Sequence, residues 1–163
     1  MKANLLILYM TLSISIFGQV ITKELLQIES TEKNSKTIIF HKQSVDLLNS
    51  FIITAHNKSS NDFTSCKWEV KMNIGNMKLL YEALSEVVLG DNIQFTYNKF
   101  NVKVKNKKVR VTLLNSICTS EHSTHYFQKS CKRELSFILF PKQINSFVQV
   151  FEDVFSPVIV EKY

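Results

Sequence analysis

The sequence predicts an α+β domain: a mainly antiparallel sheet with a central β-meander, and two or three amphipathic helices packed on one of its faces. Three consecutive segments, Ile93/Phe95/Tyr97, Phe100/Val102/Val104 and Val109/Val111/Leu113, alternate apolar with polar residues, and the stretches 98–101 and 105–108 between them supply turn residues. That is the period-2 signature of short strands joined in sequence. On either side of the meander the chain repeats one local grammar, a short apolar strand, a polar break and an apolar stripe at helical spacing. Strand-helix units flanking a meander bury their apolar faces by layering helices on a sheet. With 3 glycines and 2 prolines in 163 residues, collagen-like and low-complexity classes are excluded.

The chain opens with Lys2, an almost uncharged run from Leu5 to Phe17, then Gly18 and Gln19. A basic start, an apolar middle and a small residue at the cut describe a secretory signal. The run is shorter than the roughly twenty apolar residues of a membrane span, and Thr22, Lys23 and Glu24 follow closely. Residues 1–18 are therefore expected to be a cleaved signal peptide. Residues 19–163 are expected to form a single secreted or periplasmic domain with no stable membrane insertion.

The first strand-helix unit is Thr37 to Phe40, a break at residues 41–43, and a helix capped by Ser44 carrying Val45, Leu48, Phe51 and Ile52. Its β-branched run Ile52-Ile53-Thr54 is equally compatible with a longer strand. The second unit alternates Trp68, Val70 and Met72 against Glu69 and Lys71, then stripes Met77, Leu80, Tyr81, Leu84, Val87 and Val88 along one helical face, with Gly90 placed to cap a helix closing near Leu89. In the third, Leu135 to Phe140 is apolar at nearly every position and reads as a central strand. Ile144, Phe147, Val148, Phe151, Val154 and Phe155 stripe the helix behind it, and Ser156-Pro157 end it. Residues 38–43 and 138–143 share the pattern Ile-Ile/Leu-Phe-x-Lys-Gln, for which convergent strand-to-helix patterning is a simpler cause than duplication.

Lys103, Lys105, Lys107, Lys108 and Arg110 interleave with Val102, Val104, Val109 and Val111. The simplest account is a solvated sheet face opposite a buried valine face, preferred over an anion-binding patch. The net charge of +6 favours solubility and weak attraction to anionic surfaces without naming a partner. Export argues against a nucleic-acid target.

Reactive residue types gather in one polar stretch, 115–133, which holds Cys118, Glu121, His122, His125, Tyr126 and Cys131. Cys118, His122, His125 and Cys131 are in principle a zinc-ligand set, and Cys118 with either histidine is in principle a nucleophile-base pair. A disulfide between Cys118 and Cys131 closing an exposed loop accounts for the same residues and suits an oxidising compartment. That bridge is the preferred expectation. Cys66, at the start of a strand, reads as a small buried hydrophobe. No phosphate loop, Gly-x-Ser-x-Gly elbow, His-Glu-x-x-His or EF-hand pattern occurs, so neither a cofactor nor a resident metal is expected. The functional expectation is a small exported non-enzymatic module that binds another macromolecule, a protein: an inhibitor, immunity-type or accessory protein. The alternatives are a small exported hydrolase or metal-binding protein using the 118–131 loop, and a structural envelope component.

Overall fold

The computed structural model describes residues 20–30, 36–45, 48–57, 66–87, 93–120 and 134–156. The expected signal peptide and its cleavage site lie outside them. The described chain is mixed α+β, with two antiparallel sheets and two helices. The larger sheet runs β1 (Ile21–Ser30), β2 (Lys36–Val45), β3 (Leu48–Asn57), β4 (Cys66–Asn73) and β8 (Ile117–Ser120) in that order across the sheet. The smaller one runs β5 (Gln94–Thr96), β6 (Phe100–Lys105), β7 (Lys108–Leu113) and β9 (Leu135–Leu139). Helix α1 (Ile74–Ser85) follows β4 directly, and α2 (Pro141–Phe155) follows β9.

The meander is where the alternation put it. Val102, Val104, Val109 and Val111 are buried, and Lys103, Lys105, Lys108 and Arg110 are exposed. Asn106 and Lys107 join β6 to β7 with φ of 51° and 60°, as a two-residue hairpin turn with both central residues left-handed requires. Asn tolerates that region. Lys107 occupies it at a steric cost that glycine would avoid.

The helix expected from Ser44 onward is instead half of a hairpin. Residues 36–45 form one ten-residue strand, and 48–57 return beside it with Val45 opposite Leu48. Phe51, Ile53 and Ala55 are buried while Ile52 and Thr54 are only partly so, so the local period is 2 rather than 3.6. The β-branched run decides the conformation because β3 is paired on both sides, with β2 and β4; a strand whose neighbours supply both ladders outcompetes a weak helix. Ser44 Oγ, rather than capping a helix, donates to Asn49 Oδ1 at 2.7 Å across this hairpin.

Helix α1 starts at Ile74, inside the stretch 73–76 that reads as a polar break before Met77, because Asn73 Oδ1 accepts from the Asn76 N–H at 2.8 Å and caps it. It ends at Ser85 with a right-handed cap at Glu86, earlier than Leu89; Leu89 and Gly90 lie outside the described residues. Strand β9 is not central. Among the described residues it pairs with β7 alone, and of its own residues only Leu135, Phe137 and Leu139 are buried. Its outer edge is closed by side chains of the larger sheet: the Ile138 N–H donates to Ser30 Oγ at 3.3 Å, and Lys36 Nζ donates to the Ser136 carbonyl at 2.8 Å. Such cover removes the hazard of an open strand edge.

One core joins both sheets and both helices. Helix α1 packs on β3, β4, β6 and α2. Phe147 and Phe151 of α2 stack at 4.4 Å, and both meet Phe40 of β2, at 5.4 and 5.9 Å. Phe40 also meets Phe137 of β9 at 6.4 Å, edge to face. These rings are almost wholly buried, and edge-to-face pairs add to the stabilisation from area alone.

Candidate functional site

The outer face of the smaller sheet carries its charge in register. Lys103 stands directly opposite Arg110, and Lys105 directly opposite Lys108. The tight turn at Asn106-Lys107 fixes this register: two turn residues force 105 opposite 108, and each further pair follows. Opposed side chains in an antiparallel ladder have Cβ atoms about 5 Å apart, so like charges there repel and lower stability. The Lys105/Lys108 rung is such a pair, and Lys103 and Arg110 form the rung beside it.

These residues line an open groove of about 510 Å³ together with Asn106 and Ile138. Ile138 lies opposite Arg110 on β9 and is half-buried, which explains why an apolar residue sits on an otherwise wet face. The Lys108 ammonium lies 5.7 Å from the centre of the Phe140 ring, a cation–π contact. Farther along the same face the character changes from cationic to neutral: Thr112 Oγ1 and Ser136 Oγ are hydrogen-bonded at 2.9 Å, and the Asn101 side-chain oxygen is buried with no hydrogen-bond partner among the described residues.

The basic cluster itself is legible in the sequence. Sequence reasoning missed Asn106 and Ile138, and with them the groove. The signal that could have found it is the turn: a two-residue connection between the meander's second and third strands implies which cations face each other.

The cysteine and histidine set is placed differently from expectation. Cys118 bears a free thiol, whereas Cys66 is disulfide-bonded, so neither the Cys118–Cys131 bridge nor Cys66 as a lone hydrophobe matches the structure. Residues 117–120 are a strand on β4 rather than loop, with Cys118 opposite Trp68 and Cys66 opposite Ser120. The ladder fixes Cys118 against the core, where it packs as a partly buried apolar group. Burial pushes its thiol pKa up, the reverse of what a nucleophilic or metal-binding cysteine needs. His122, His125 and Cys131 lie outside the described residues. Among the described residues no three His, Cys, Asp or Glu side chains gather as a metal site, and no helix is long and apolar enough to cross a membrane.

Comparison with protein-family models, with curated proteins and with solved structures finds no match to this chain.

Proposed function

We propose that the chain is a small exported, non-enzymatic binding module that holds an acidic macromolecular partner, a protein, on the cationic outer face of its smaller sheet. One observation carries this: Lys105 and Lys108 stand directly opposed across β6 and β7 on an open groove that Lys103 and Arg110 also line. Opposed cations weaken the sheet that bears them; an anionic partner converts the repulsion into attraction and speeds encounter. Export is supported by the signal-like run from Leu5 to Phe17 and by the disulfide at Cys66, which suits an oxidising compartment.

The test is retention on immobilised polyglutamate against rising salt. The parent protein is expected to bind at low ionic strength and to elute as screening shortens the reach of its charges. The Lys105→Glu/Lys108→Glu variant is expected to pass through unretained. Because it replaces one like-charged pair with another, its stability should stay near the parent's, so its lost retention cannot be ascribed to unfolding. Equal retention of both proteins would place the binding elsewhere and refute the proposal.

A further inference from the structure

We infer that the groove takes a pair of side chains from the partner protein: a carboxylate seated on the Lys105/Lys108 rung and, beside it, an aliphatic side chain resting on Ile138. The inference rests on the proposed binding role and specifies its ligand. Ile138 is the apolar member of a lining otherwise made of Lys, Arg and Asn. It is half-buried on β9, one strand away from the cations of β7, and neighbouring strands lie about 4.8 Å apart. Lys108 is held over the Phe140 ring at 5.7 Å, so this cation too borders an apolar surface. Neither Lys105 nor Lys108 has an ion pair among the described residues, whereas Arg110 is already engaged. The open seat for an anion is therefore the rung beside the turn.

An anion alone gains little there, because water screens an exposed ion pair. An aliphatic side chain laid on Ile138 adds apolar burial and keeps water from the neighbouring charges, and such sheltered central contacts dominate the energy of an interface. The state of β9 limits how the partner approaches. Its outer edge is closed where the Ile138 N–H donates to Ser30 Oγ and the Ser136 carbonyl accepts from Lys36 Nζ. The partner therefore meets the face of the sheet with side chains and does not extend the sheet with a strand of its own. Because Ile138 lies in a groove and not on a protrusion, a single side chain reaches it and a flat lipid surface does not.

Fluorescence anisotropy with two labelled peptides of equal charge tests this, one built of Gly-Glu-Leu units and the other of Gly-Glu-Ser units. The parent protein is expected to bind the leucine peptide about tenfold more tightly, and that ratio should persist in salt that weakens both complexes. Ile138→Thr, which keeps a β-branched residue on the strand, is expected to bind the two peptides equally. Leu48→Ser, which removes an apolar side chain exposed on the other sheet, is expected to keep the parent's ratio. Equal affinity of the parent for the two peptides, or a leucine preference that survives Ile138→Thr, overturns this inference and leaves the cationic-face proposal standing. Capture of the parent by phosphatidylglycerol vesicles that the leucine peptide cannot reverse assigns the face to a lipid surface and overturns both, as does failure of polyglutamate and both peptides to bind.

Discussion

Residues 38–43, Ile-Ile-Phe-His-Lys-Gln, and residues 138–143, Ile-Leu-Phe-Pro-Lys-Gln, are nearly the same string in two different structures. The first lies wholly within β2, a strand paired on both sides, by β1 and β3. The second ends β9 and begins α2. His41 supplies a backbone N–H, which a doubly paired strand uses. Pro141 has none and sits at the first position of the helix, where its fixed φ suits the turn and no intrahelical bond is lost. Gln143 completes the switch: its Oε1 accepts from the Phe140 N–H at 2.9 Å and its Nε2 donates to the Glu29 carbonyl at 2.8 Å. Gln43 lies within the ladder opposite Ser50. Of the two positions at which the strings differ, the His/Pro one together with the pairing on offer separates the two outcomes.

The two phenylalanines should separate most widely. Phe40 is 1% exposed and touches three other rings, so Phe40→Ala is expected to cost about 3–5 kcal/mol through lost burial and the cavity left behind. Phe140, half-buried under Lys108, should cost less than half as much, and denaturant titration of both variants measures the gap. Exchanging the discriminating residue comes next. His41→Pro removes a ladder donor in an interior strand and is expected to cost about 3 kcal/mol or more. Pro141→His should cost about 0.4–1 kcal/mol, chiefly by freeing the unfolded chain. If both exchanges cost the same, the pairing environment is not what separates the two strings. Gln143→Ala, which gives up two hydrogen bonds at the start of α2, is expected to cost about 1–2 kcal/mol, against a few tenths for Gln43→Ala.

The same physics governs how far the sequence could be read. The meander, both helices and the aromatic stripe of α2 were legible because their periods are local and unambiguous. The β2–β3 hairpin was not, because Val45, Leu48, Phe51 and Ile52 fit a helical face until the partner strands on either side are known. Strands β1 and β8 were not foreseen for the same reason: both lie at the sheet's margins and derive their form from the ladder they join. At the candidate site the four basic residues could be read directly, while their opposition across the hairpin needed register.

The cysteines depended on β8. Once Cys118 is held opposite Trp68, it is positioned by the sheet and not by its spacing to Cys131. Peptide mapping without reduction should find Cys66 in a disulfide and Cys118 alkylated. Because burial raises the Cys118 pKa, the thiol should react more slowly than a free cysteine at pH 8 and gain rate as pH rises beyond the ordinary thiol range. A Cys118 that alkylates as fast as free cysteine would contradict its place against the core.

We propose that the opposed cations of β6 and β7 cost the fold stability and serve a partner. The melting temperature of Lys105→Glu tests it most directly, since the substitution turns the Lys105/Lys108 opposition into an ion pair worth about 0.2–1 kcal/mol. A rise of about 1–3 °C over the parent is expected at low salt, shrinking as salt is added. An unchanged or lower melting temperature at low salt would show that the cationic face supports the fold itself, and would contradict the account.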